Sequence, residues 1–211
     1  MKEKHFFDLQ VHSEYSWDCS TKIKDIINYS KKKGMSGVSI TDHETSKGGL
    51  SGYKITKNDD EFTVIPSIEI ATQFGDVIAM FTKEELNTKD FFELKDMAKD
   101  EDMLLMLPHP GRGLLNAKKI ADEVDCIEVI NGHSRLTQNL FAYFLRDEFQ
   151  KTAVAGSDAH KLEEIGNCTT SFQGIDEESI RKDIKNGDTK VSGLLKTAIN
   201  IPKSFHKKFL K

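Results

Sequence analysis

The chain alternates short apolar runs with helix-like stretches, and the apolar runs share one kind of ending. Phe6-Phe7-Asp8-Leu9-Gln10-Val11-His12-Ser13 is apolar at alternate positions and closes on a knot of polar side chains. That is the pattern of a buried strand whose C-terminal tip carries chemistry. Four later runs end the same way: Val38 to His43, Leu104 to His109, Ile127 to His133 and Ala153 to His160. Five of the seven histidines stand at or just past these tips, and the other two, His5 and His206, lie near the termini. Histidines scattered through a core would not gather at strand ends, so the pattern predicts one polar centre fed by several strands.

Between the strands the period changes. Residues 22–33 read as a helix with Ile23, Ile26 and Ile27 inward and Gly34 as its stop. The Gly- and Lys-rich stretch 45–52 lacks the spacing of a nucleotide loop and reads as a mobile surface segment. Strands follow at 62–70 and 77–81, joined by a tight turn at 74–76. Helices are expected over 88–99, 116–124, 137–148 and 176–186, the last capped by Asp176 and stopped at Gly187. Further strands are expected at 104–109, 126–130 and 152–155, and residues 169–172 suggest one more short strand. Strands alternating with helices predict a parallel sheet with right-handed crossovers. Seven such units with polar tips favour a small closed α/β barrel, a (β/α)7 TIM-like arrangement with its active site on the tip face. The chain reads as one domain over 1–211, with 198–211 a basic tail. That tail is expected to be a solvated last helix, with a nucleic-acid or membrane contact as the alternative.

Composition narrows the function. A formal net charge of -4 gives no global attraction to nucleic acid or to an anionic membrane. No apolar run reaches the roughly 20 residues of a membrane helix. Met1-Lys2-Glu3-Lys4-His5 is charged, unlike a signal peptide. Cys19, Cys126 and Cys168 lie far apart and propose neither a disulfide framework nor a thiolate zinc site. A cytoplasmic location is the expectation.

The candidate chemistry is a mixed imidazole and carboxylate set: His12, Asp18, His43, Glu69, His109, His133, Asp158 and His160. Such donors suit zinc, manganese or iron. They outnumber what one ion uses, so two or three ions bridged by a carboxylate such as Glu69 are expected. Paired ions about 4 Å apart suit hydrolysis of a phosphate ester. A buried carboxylate such as Glu69 in an apolar strand is costly without partners. Asp18 equally fits a helix start and His133 a loop. Asp8 and Asp42 are expected to orient a ligand histidine rather than to bind an ion. Arg112 and Arg135 fit either substrate phosphate or plain surface charge; Lys47 and Lys161 are weaker candidates.

These pieces together resemble the PHP (polymerase and histidinol phosphatase) family of metal-dependent phosphoesterases. The matching segments are Asp8-Leu9-Gln10-Val11-His12-Ser13, Thr41-Asp42-His43, the strand with Glu69, His109-Pro110, Ile127-Glu128-Val129 with Asn131-Gly132, and Gly156-Ser157-Asp158-Ala159-His160, in the family's order. The resemblance implies a distorted seven-stranded barrel and two or three divalent ions. It implies Gln10, His12, Glu69 and Asp158 around one ion, Glu69, His109 and His133 around a second, and Asp18, His43 and His160 around a third. Glu69, Asp158 and His160 are the implied catalytic core. The chain departs from the family at Gln10, where the pattern has a histidine; an amide oxygen is a weaker ligand for a zinc-like ion. The leading expectation is hydrolysis of a phosphomonoester of a small metabolite or nucleotide by metal-activated water. The alternatives are a nuclease acting on DNA or RNA ends and a catalytically silent metal-binding module.

Overall fold

The structure is a computed structural model that describes residues 4–193; the expected basic tail over 198–211 lies outside them. Its first half runs β1 (His5–Val11), α1 (Ile23–Lys32), β2 (Gly37–Ile40), α2 (Lys47–Thr56), β3 (Thr63–Thr72), β4 (Gly75–Met80) and α3 (Phe91–Asp100). The second half runs β5 (Leu104–Leu107), α4 (Leu114–Ile120), β6 (Cys126–Asn131), α5 (Leu136–Phe149), β7 (Thr152–Gly156), β8 (Cys168–Phe172), α6 (Glu177–Asn186) and β9 (Lys190–Gly193).

The nine strands form one sheet in the order β7-β6-β5-β4-β3-β2-β1-β8-β9. The sheet curls until its ends nearly meet. Past the tip of β7, Asp158 N donates to Gln10 O at 2.9 Å, and His12 N donates to Ala159 O at 2.9 Å. Lower down, Ala155 N donates to Thr170 Oγ1 at 2.8 Å. The result is a nearly closed, barrel-like α/β fold.

It differs from a regular (β/α)7 barrel in two respects. Strand β8, which forms where residues 169–172 suggested a further short strand, and the unforeseen β9 add to the seven of the barrel and run antiparallel to their neighbours. Strand β4 is antiparallel to both β3 and β5, because the turn at 73–75 is too short for a crossover and makes a hairpin instead. Alternation along β4 and β5 then serves two cores. Ile78, Met80, Leu104 and Met106 face the barrel interior with Phe7, Leu9 and Phe172. Val77, Ala79, Leu105 and Leu107 pack outward against Phe91 and Leu94 of α3. A third cluster joins α1, through Ile23, Ile26 and Ile27, to Val38, Ile40 and Val64.

The stretch read as a mobile loop at 45–52 is instead the start of α2, and its glycines are buried. Gly49 lies so close to β3 that a Cβ there would stand 2.8 Å from Ser67 N. A Cβ on Gly48 would stand 1.9 Å from Asp42 Oδ2. Glycine disfavours a helix by about 1 kcal/mol per residue, but here it allows helix and strand backbones to approach closely. Helix α3 begins at Phe91 rather than 88, where Asp90 caps it by accepting from Phe92 N and Glu93 N.

Candidate metal centre

The tips converge as the sequence pattern requires. Strand β1 breaks register between Asp8 and Val11. Past the break, Val11 packs with the α1 cluster, while Gln10 and His12 face Glu69 of β3. His12 Nε2 lies 3.2 Å from Asp158 Oδ1 and 3.5 Å from Glu69 Oε2. Asp18, on the loop after β1, sets Oδ2 3.0 Å from His160 Nε2 and 3.3 Å from His43 Nε2. His43 Nδ1 is 3.4 Å from Glu69 Oε2. One donor atom from each of His12, Asp18, His43 and His160 lies within 4.8 Å of all the others, and Glu69, Asp76 and His109 make a second such group. Glu69 joins the two: its Oε1 is 3.0 Å from His109 Nε2, while Oε2 faces His12, His43 and Gln10. The backbone is unusual at these points, with positive φ at Asp158 (59°) and His109 (29°), and such strain clusters at functional sites.

The electrostatics favour a cation. Burial alone would lift Asp158, but the His12 ring, His109 and Arg112 outweigh it and hold this carboxyl well below its usual range. Glu69 is likewise held low, the His109 ring overcoming its burial. Burial would depress His12 and His109, yet Asp158 and Glu69 raise His12, and Glu69 raises His109. Desolvated carboxylates thus draw protons onto the neighbouring imidazoles, and a divalent ion would satisfy the same field. His12 Nδ1 is buried without a hydrogen-bond partner. The donor set, nitrogen and carboxylate oxygen without thiolate, fits such an ion.

Several expected residues lie elsewhere. His133 does not join Glu69 and His109; its Nε2 is 3.2 Å from Glu164 Oε1 and its ring stacks on His160. The turn after β6 carries it past the second group. Gln10 does not aim its oxygen at the ligand cluster. Its Nε2 donates to Glu69 Oε2 at 3.2 Å and its Oε1 accepts from Asn131 Nδ2 at 3.1 Å. Asp8 orients no histidine; it accepts from Ser157 N and Gly166 N, both at 2.7 Å, and so ties two loops to β1. Asp42 accepts from Ser13 N (2.6 Å) and Ser13 Oγ (2.7 Å), fixing the loop after β1. Arg112 reaches the centre, where its Nη2 donates to Asp158 Oδ2 (2.7 Å) and Asn131 Oδ1 (3.0 Å). Arg135 is exposed at the start of α5, with no side-chain bond to the cluster, and Lys47 and Lys161 are exposed as well.

Three participants were not anticipated. Asp76 joins the second group only because the β3–β4 hairpin sets it opposite Ala71, two residues from Glu69. Asn131 is a hub whose Nδ2 donates to Gln10 and to Glu128 Oε2, and whose Oδ1 accepts from Arg112 and from His133 N. Glu164 accepts from His160 N at 3.1 Å. Asn131 stands in one of the matching segments but with no role attached to it, and acidic residues such as Asp76 and Glu164 are too common for sequence to single out.

The sequence pattern of the PHP domain matches residues 8–149, and that of a PHP-associated segment matches residues 137–189. The chain belongs to the PHP domain family. An uncharacterized protein of Methanocaldococcus jannaschii is 31% identical over 183 residues, covering 81% of this chain and 72% of that one. The DNA polymerase III subunit alpha of Borreliella burgdorferi is 34% identical over 97 residues, 46% of this chain but 8% of that protein. Among solved structures, a two-domain protein from Bacteroides vulgatus containing a predicted PHP-like metal-dependent phosphoesterase superposes with a TM-score of 0.77 at 17% identity. The match covers 91% of this chain, which spans 65% of that longer protein. Among the described residues no helix is long and apolar enough to cross a membrane.

Proposed function

We propose that the protein is a phosphoric ester hydrolase that cleaves a phosphomonoester of a small metabolite or nucleotide, using two divalent ions such as zinc, manganese or iron. The observation that carries this reading is the pair of ligand groups joined by the single carboxylate of Glu69. His12, Asp18, His43 and His160 would hold one ion, and Glu69, Asp76 and His109 the other. When bound, such ions would supply Lewis acidity and a water of lowered pKa. The chain's own residues supply position. Asp42 and Ser13 fix the loop that carries Asp18. Asn131 and Arg112 hold Asp158 in place, and the half-exposed Arg112 guanidinium can turn from it to a phosphate oxygen.

Elemental analysis of gently purified protein, paired with a hydrolysis screen, tests this. Two ions per chain with turnover of monophosphates is the expected result. Alanine at His43, Glu69 or Asp158 should abolish turnover; full activity in any of them would refute the mechanism. Similarity to part of a DNA polymerase subunit favours a second reading, a phosphodiesterase on nucleic-acid ends. Activity on oligonucleotides without activity on monophosphates would establish it instead.

A further inference from the structure

The loop 14–20 between β1 and α1 carries the chain's one tryptophan. Trp17 is 82% exposed, well above any other large apolar side chain among the described residues. The loop that presents it is pinned. Glu14 N donates to Thr21 O at 2.8 Å, Ser16 N to Ser13 O at 2.9 Å, and Cys19 N to Ser16 O at 3.3 Å. The single S–H of Cys19 is shared between the carbonyls of His12 and His160, each 3.3 Å from Sγ. Trp17 therefore stays in water on a held support, a costly arrangement for so large an apolar surface.

Its position says what covers it. The indole stacks on the His43 ring, centroids 5.7 Å apart and planes 26° from parallel. His43 is followed by His12 at 4.6 Å and His12 by His160 at 4.3 Å. Trp17 is thus the outer end of a column of rings whose inner members are the candidate metal ligands. The next residue, Asp18, belongs to the ligand group itself. A phosphate held at that group places the rest of its ester within reach of the indole.

We propose that Trp17 is a specificity-determining platform that selects phosphate esters whose alcohol part carries a planar aromatic ring, such as a nucleoside, by stacking that ring on the indole. The inference rests on the phosphoesterase reading for where the phosphate sits. A base stacked on an aromatic side chain gains about 5- to 150-fold in binding.

The test compares kcat/KM for a nucleoside monophosphate and for ribose 5-phosphate on the metal-loaded full chain. Wild type should prefer the ring-bearing ester by about fivefold or more. Trp17→Ala should collapse that ratio, chiefly through KM, and Trp17→Phe should restore most of it. No core packing is lost by either change, since the side chain is outside the core. An unchanged ratio in Trp17→Ala would overturn the proposal while leaving the phosphoesterase reading intact. If neither ester is turned over, the phosphoesterase reading fails, and the fluorescence of this single tryptophan decides separately. Saturable quenching by the nucleoside monophosphate but not by ribose 5-phosphate supports the platform; no quenching, or equal quenching, overturns it.

Discussion

Glu128 offers the sharpest test of the electrostatics of this centre. It lies on β6 with its side chain fully buried. Its Oε2 accepts from His109 N at 2.9 Å and Asn131 Nδ2 at 3.0 Å, while Oε1 has no partner. Burial, opposed by His109 and reinforced by Asp158, raises its pKa from 4.5 to about 8. Below pH 4.5 the folded and unfolded chains both carry this proton. Between there and pH 8 only the folded chain keeps it, so stability falls by about 1.4 kcal/mol per pH unit. Above pH 8 both have lost it and the penalty levels off. Glu128→Gln keeps an acceptor for His109 and Asn131 but cannot ionise. In metal-free protein it should exceed the wild type by under about 1 kcal/mol at pH 5 and by roughly 4 kcal/mol at pH 8. Urea unfolding in chelator at the two pH values measures this. A bound cation favours the ionised carboxylate, so the advantage should shrink once metal is restored. An advantage that stays constant from pH 5 to 8 would refute the reasoning.

Asp8 has the opposite outcome although it too is raised by burial, to about 6. Both its oxygens accept backbone N–H groups, so Asp8→Asn turns an amide N–H against one of them and should cost about 1–3 kcal/mol in urea unfolding at pH 7. Gly48→Ala would drive a methyl into Asp42 Oδ2 and Ser13 Oγ, and should destabilise by about 1–3 kcal/mol in thermal melts. Adding Mn or Zn to chelator-stripped protein should raise Tm, by about 3 kcal/mol of stability when the ion is at one hundred times its Kd. Glu69→Ala, which cuts the link between the two ligand groups, should remove most of that rise.

What could be read in advance followed the strand tips. Histidines at the ends of apolar runs mark a shared centre because a tip is where a strand leaves the core, and His12, His43, His109 and His160 do meet there. The strands of the expected barrel also form where the alternation places them. What could not be read depends on contacts made in three dimensions. Gly48, Gly49 and Gly52 look like a loop by propensity, and only the nearness of β3 turns them into a helix. Asp76 is ordinary until a hairpin sets it beside Glu69. His133 follows the motif in sequence, but the turn at Gly132, where a Cβ would stand 2.5 Å from Ser157 O, sends it toward Glu164. Asp8 and Asp42 carry the motif's acidic letters, yet they bind backbone and serine rather than imidazole.

The bonds that join the tips of β1 and β7 have a consequence for how the protein is made. His12 and Asp158 are 146 residues apart in the chain, and the donors between them leave the ribosome one strand at a time. Until Asp158 N can bond Gln10 O, the early histidines face an open trough with no far wall. The group of His12, Asp18, His43 and His160 is therefore incomplete until its last member has been made. A chain cut short before β7 would lack His160 of the first ligand group, while Glu69, Asp76 and His109 of the second would all be present.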